Sequence, residues 1–362
     1  MILTIIIIVL TLVVLMALHE LGHFAFAKWF KIPVEEFGIG YPPKIIGKKI
    51  GETFYSINWL PFGAFVKILG EDNDTDNPNS FAKQKMWKRA LVLFGGVFSF
   101  WVIAVILFSL ILGVWGLPAQ VEDSQDNPQA RVLISLVEPK SPAELAGLMP
   151  YDAILAVKDI QNVTQEINKA QQVIDFTKQH QGQKITLTIA RNGQNQEIVV
   201  TPRVITAENQ GAIGIGLVRA VMMKSAWYRA PYDGLLLTVQ QTRMIAVTTV
   251  GAIASLIKGE KVLGLKLSGP IGVGSIMAQA LGSGIGVYLT YVIAITIWMA
   301  LFNLLPIPAL DGGRLLFLLI EAIRRKPMTA KVEQTITGIF FLLLIGLMAI
   351  VTIKDVVGLF IK

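Results

Sequence analysis

The sequence predicts a polytopic α-helical membrane protein: about four transmembrane helices, a membrane-associated β-hairpin element and one small extracytoplasmic α+β domain. Three observations carry this expectation. The 362-residue chain is 53% hydrophobic and only 16% charged, against about 25% charged in soluble domains. Four stretches stay apolar for the roughly 20 residues that a helix needs to cross a bilayer. One interior stretch, 131–206, has instead the composition of a soluble domain. The net charge of +7 comes without a Lys/Arg stripe interleaved with aromatics, so nucleic acid is not an expected partner. Cysteine is absent, which excludes disulfides and thiolate metal sites and leaves histidine and carboxylates as ligands.

Residues 1–30 hold the first span, from Ile2 to about Phe26. It lacks a positive leading region and an Ala-x-Ala-like end, so a retained helix is expected rather than a signal peptide. Residues 31–89 follow as a cytoplasmic-side element. Aromatic and β-branched residues with turn signals at Tyr41-Pro42-Pro43 and Gly51-Glu52 predict one or two hairpins, apolar enough to lie against the membrane. The polar linker "EDNDTDNPNS" and the cluster Lys83, Lys85, Lys88 and Arg89 complete it. The second span runs over 90–117 and stops at Pro118.

In 131–206, "RVLISLVE" and "DAILAVKD" read as strands, and "SPAELAGL" as a short helix with Ser141 as N-cap and Pro142 at its first position. "TQEINKAQQVIDFTKQH" reads as an amphipathic helix, and "KITLTIARNGQNQEIVVTPRV" as a hairpin turning at Asn192-Gly193. Residues 225–284 are an amphipathic juxtamembrane region. Its stretch Tyr232–Ile257 carries Gln240, Gln241 and Arg243 near the middle, where charge is costly in lipid. The third span lies within 285–320, from Ile285 to about Leu305, and the fourth is 335–353.

Charge sets the expected orientation. The loop after span one holds ten Lys/Arg from Lys28 to Arg89, and the loop after span three holds Arg324, Arg325, Lys326 and Lys331. The insert from Pro118 to Ala230 balances eleven Lys/Arg with eleven Asp/Glu. The positive-inside rule then puts the basic loops in the cytoplasm, and both termini and the soluble domain outside.

His19 and His23 stand four residues apart, on one helix face, in "HELGH". Two such imidazoles can share a metal ion, and the adjacent Glu20 can act as general base toward water at that ion. The pattern is short, and a helix end with snorkelling polar residues gives it equally well. A catalytic zinc site needs a third ligand. The remaining histidine, His180, lies among polar residues at a helix end in the insert, so a carboxylate is expected. Asp311 in "NLLPIPALDGG" is the best candidate: Pro306 and Pro308 break the third span and Gly312-Gly313 permit close backbone approach. Taken alone it also reads as a turn aspartate. Asn303 reads either as a hydrogen bond to substrate backbone or to the oxyanion, or as an interhelical hydrogen bond. His19 is 17 residues past Ile2, roughly 26 Å along a helix, so the site lies toward the cytoplasmic end. Asp311 reaches that level only if span three runs inward, which implies that 232–257 lies along the outer surface or is embedded without crossing.

These residues resemble the site-2 protease family of intramembrane zinc metalloproteases, in its bacterial PDZ-containing form. "HELGH" and "NLLPIPALDGG" match its two catalytic motifs, and "LSGPIG" (Leu267–Gly272) and "WKRALVLFGG" (Trp87–Gly96) match two more. The insert resembles a bacterial PDZ domain over "SPAELAGLMPYDAILAV", with Tyr151-Asp152 where Gly-Asp is frequent. Phe100 stands where relatives often carry Asn. The resemblance implies one Zn2+ per chain held by His19, His23 and Asp311, with Glu20 as base. It also implies substrate contacts from Asn303, Pro306 and Pro308. The expected partner is a transmembrane substrate protein already trimmed by another protease, of the anti-sigma-factor or remnant-signal-peptide type. The expected location is a bacterial cytoplasmic membrane. The departures at Phe100 and in the insert keep open a second reading, a catalytically silent membrane scaffold of the same fold.

Overall fold

Nothing in the first stretch interrupts a helix: it has neither proline nor charge until Glu20, and its residues bury their own backbone polar groups by helical bonding. The computed structural model describes residues 2–71, 77–123, 127–138, 140–191, 193–204, 211–259, 269–326 and 328–360. Along the chain come α1 (Ile2–Trp29), β1 (Val34–Ile50), β2 (Thr53–Ile68), a 3-10 turn at Phe81–Lys83 and α2 (Met86–Val114). Then follow β3 (Leu117–Gln120), β4 (Arg131–Val137), α3 (Pro142–Leu145), β5 (Ala153–Lys158), β6 (Thr164–Glu166) and α4 (Ala170–Gln179). The rest is β7 (Ile185–Arg191), β8 (Gln194–Val200), β9 (Ile215–Met223), α5 (Ala230–Ile257), α6 (Pro270–Gly282), α7 (Ile285–Asn303), α8 (Asp311–Arg324) and α9 (Ala330–Phe360). Among the described residues, four helices are long and apolar enough to span a bilayer: α1, α2, α7 and Lys331–Val357 within α9. The described residues fall into two compact units, one within 1–108, 231–275 and 292–362, the other within 109–230 and 276–291.

In the first unit, β1 and β2 are too long to stay straight. Each bends, so Glu36–Ile39 acquires two neighbours: Ala64–Lys67 running opposite to it on one side, and Phe54–Ile57 on the other. The outer half of β1, 44–50, pairs with 53–58. Two strands therefore make a four-segment sheet with 64–68 at one edge. Buried polar groups inside it are satisfied: Ser56 Oγ donates to Glu36 at 2.6 Å, Thr53 Oγ1 to the Val34 carbonyl at 2.9 Å and Asn58 Nδ2 to the Gly40 carbonyl at 3.2 Å. The sheet base, the end of α1, the start of α2 and α8 share one core of Ala27, Ile32, Val34, Ile68, Val92, Leu93 and Leu318.

The second unit is built on one sheet in the order β3-β9-β4-β5-β7-β8, with β6 beside β5. Alternating residues of β4 and β7 bury Val132, Ile134, Leu187 and Ile189, and β5, across a register shift, buries Ile154 and Val157, against α4's Val173 and Phe176. Ser141 caps α3 through Glu144 N, with Pro142 at the first position. The sheet extends beyond 131–206, because β3 pairs with β9 at Leu117↔Met223. That pairing also ends the second span early. α2 stops at Val114 and Gly116 turns with φ 84°, so Leu117 becomes strand rather than the last residue of the helix. Asn192 of the β7–β8 turn, residues 72–76 of the polar linker, and Leu267 and Ser268 of "LSGPIG" lie outside the described residues.

Asp152, 1% exposed, accepts from Arg191 Nε and Nη2 at 2.7 and 2.6 Å and from Met149 N at 2.8 Å. The Arg191 guanidinium is held above its ordinary value by that bidentate bond. Arg191→Met leaves the carboxylate buried with one donor. We expect a loss of roughly 3 kcal/mol from the second unit, seen as a lower midpoint for its unfolding in the solubilised full chain; an unchanged midpoint contradicts this account.

Candidate metal and catalytic site

α1 presents His19 and His23 on one face, buried to 5% and 6% exposure. His23 Nδ1 lies 2.9 Å from the Val92 carbonyl oxygen. A carbonyl only accepts, so Nδ1 carries the proton and Nε2 keeps its lone pair. The His19 ring stacks on Phe100, centroids 4.7 Å apart, and Phe100 is fully buried. Only glycine lets α2 come this close. A Cβ on Gly22 would overlap the Gly95 carbonyl, and a Cβ on Gly96 would overlap His23 Nε2 and come within 2.7 Å of His19 Cε1.

The third ligand arrives from the break after α7. Pro306 and Pro308 have no N–H to continue a helix, so the chain turns through 304–310 and α8 starts at Asp311. Cβ atoms on Gly312 and Gly313 would overlap the carbonyls of Leu304, Leu305 and Ile307. The two glycines thus let the first turn of α8 sit on the loop, which turns Asp311 inward at 15% side-chain exposure. Arg89 Nη1 to Glu321 at 3.1 Å fixes α8 to α2, and Arg314 pairs with Glu71 beyond β2.

Asp311 Oδ2 stands 3.2 Å from His19 Nε2 and 3.4 Å from His23 Nε2, and the two Nε2 atoms are 3.3 Å apart. Two donors of a tetrahedral zinc with bonds of about 2.0–2.1 Å stand about 3.3 Å apart. The three atoms therefore fit one zinc ion, and His23's proton on Nδ1 leaves the correct nitrogen to bind it. The Glu20 carboxylate interacts electrostatically with all three ligands and takes a hydrogen bond from the Val66 backbone in β2. Tyr41 lies near it. Partial burial and the Glu20 charge both push the Tyr41 hydroxyl above its ordinary value.

The other sequence candidates are placed differently. Asn303 Nδ2 donates to the Met299 carbonyl of its own helix at 2.9 Å. Pro306 is exposed, while Pro308 is buried and its carbonyl accepts from Thr337 Oγ1 of α9 at 3.1 Å. No described contact links these three to the ligands. His180 caps α4 and bonds the Phe176 carbonyl at 2.9 Å, a local structural role. Sequence reasoning missed Gly96, Phe100 and Tyr41 as parts of the site. The Gly95-Gly96 pair in an apolar helix was the available signal for close approach.

A family model described as Peptidase family M50 matches residues 7–347. A Clostridium perfringens protein named as a zinc metalloprotease is 34% identical over 346 residues, covering 95% of this chain and 95% of that one. Zinc metalloprotease RasP of Oceanobacillus iheyensis is 28% identical, covering 99% of each chain. Zinc metalloprotease RasP of Geobacillus kaustophilus is also 28% identical, covering 93% of this chain and 94% of that one.

Gly96→Ala puts a methyl group where the two imidazoles must face each other. Elemental analysis of the purified variant is expected to find bound zinc far below the roughly one ion per chain of the wild type. Full retention would show that α2 does not pack as described.

Proposed function

Given that the chain belongs to peptidase family M50, the site-2 proteases, we propose that it is a zinc-dependent endopeptidase cutting transmembrane segments of substrate proteins within the bilayer. The observation supporting this most is the ligand triangle of His19, His23 and Asp311, 3.2–3.4 Å on a side, beside Glu20 and among spanning helices. A zinc ion held by these donors supplies Lewis-acid activation of a water molecule and of the scissile carbonyl. The Glu20 carboxylate accepts the proton that water loses and returns it to the leaving amine nitrogen. The hydrogen bond from Val66 fixes the carboxylate for both transfers, and Phe100 holds the His19 ring in plane.

A substrate helix bonds its own amides internally, so its cleavage site must first be extended. The 64–68 edge of the four-segment sheet, beside Glu20, offers backbone groups that an extended segment can pair with. Asn303, Pro306 and Pro308 are proposed to line that segment's path. The substrate class we favour is a membrane protein pre-trimmed on its outer side, such as an anti-sigma factor or a remnant signal peptide, in regulated intramembrane proteolysis. The cell location we favour is a bacterial cytoplasmic membrane, with both termini and the PDZ-like sheet domain outside. The charge asymmetry of the loops supports that orientation. The alternative is the scaffold reading; against it, Phe100 stacks on the His19 ring and leaves the ligand set intact.

Glu20→Gln keeps the donor set and removes the base. Cleavage of a co-expressed transmembrane reporter is expected to fall at least a hundredfold with zinc content unchanged, while Asp311→Asn should lose zinc and cleavage together. Wild-type-like cleavage by Glu20→Gln would refute the proposal.

A further inference from the structure

α2 has a second face that the metal site does not use. At 100° per residue, Phe98, Val102 and Val105 lie about 180–240° around the helix from Gly96. With Trp101, Leu235 and Val239 they line an apolar groove of about 530 Å³ between α2 and α5. Arg243 of α5 closes one wall of it. Arg243 is an exposed residue, and no carboxylate among the described residues pairs with it. Gln240, three residues earlier and so on the same helix face, is also exposed.

The depth of this charge identifies what can satisfy it. The groove residues of α2, 98–106, straddle the middle of the Met86–Val114 helix, one of the four spanning helices. With a hydrocarbon core about 30 Å thick, lipid phosphates stand about 15 Å from that level, and a guanidinium snorkelling along its own stem falls short of them. An ionised group at mid-span needs an opposite charge, backbone carbonyls or a water-filled cavity beside it, and the groove next to Arg243 is apolar. The groove runs along two helices and is apolar, the shape that receives a helix ridge. The geometry points to a docking site for a transmembrane helix of a partner protein that carries a carboxylate near the middle of its span and sets it against Arg243. The partner sits on the side of α2 away from the zinc ligands, so it is an accessory chain or an exosite contact rather than the segment being cut. The inference does not depend on turnover.

The test uses the full chain reconstituted in neutral phosphatidylcholine vesicles, with energy transfer to labelled polyleucine transmembrane peptides. One peptide carries a single central Asp and the other a central Leu. The Asp peptide is expected to associate about tenfold more tightly. Arg243→Leu should erase that preference, and Val102→Trp should erase it too by filling the groove with the charge intact. Both variants should keep the wild-type zinc content, which reports their folding on the opposite face of α2. Equal binding of the two peptides to the wild type overturns the proposal, as does a preference that survives both substitutions. Native mass spectrometry showing an anionic phospholipid retained by the wild type and lost in Arg243→Leu would assign the groove to lipid and overturn it as well.

Discussion

The structure depends on one distance. Three ligand atoms have to meet about 3.3 Å apart inside an apolar bundle, and two come from a helix whose own backbone would normally keep a neighbour 8–10 Å away, axis to axis. Gly22, Gly95 and Gly96 remove the side chains that enforce that separation. Without them α2 could not bring the Val92 carbonyl to His23 or Phe100 to His19. The same device recurs on the other side, where Gly312 and Gly313 let α8 close onto the proline loop and carry Asp311 to the imidazoles. Bulk is missing wherever two segments must touch to bring the donors together.

Several polar groups near that cluster are paired as lipid requires, although His19 Nδ1 has no partner among the described residues. The proton on His23 Nδ1 goes to a carbonyl, and Glu20 takes a bond from Val66. The cationic and acidic residues that hold α8 in place pair with each other, Arg89 with Glu321 and Arg314 with Glu71. Asp152 in the second unit obeys the same logic in water, where a buried carboxylate is tolerated because a fork of donors meets it. Arg243 departs from this pattern, with no carboxylate among the described residues paired with it, which is why its surroundings imply an external partner.

Much of the architecture was legible in the sequence. The four spans were readable because an apolar run of about 20 residues matches the thickness of a bilayer and is rare in a water-soluble fold. His19, His23 and Asp311 were readable because three histidines and no cysteine leave few ways to build a transition-metal site. The small domain's α3 cap and its β7–β8 hairpin were local patterns that tertiary contacts had no reason to override. What stayed hidden was long-range. Leu117 looks like the end of an apolar helix, and only its pairing with Met223 makes it a strand. The double pairing of Glu36–Ile39 needs both bends at once, and no local signal encodes it. Phe100 looked like the loss of a polar contact, and only the fold shows it against His19.

α5 shows how far a cost argument reaches before geometry is needed. Three polar residues near its middle argued that it does not cross the membrane, and it is not among the four spanning helices. Yet its residues 235–246 form a groove with the mid-span of α2, so it enters the depth that the cost argument assigned to lipid. Both statements hold if the polar residues are tolerated because something meets them there. A charge in hydrocarbon records a missing contact as surely as an orphaned donor does in a protein core. A helix that keeps such a charge exposed at mid-span is therefore built for an encounter within the bilayer, and its groove fixes the face on which the encounter occurs.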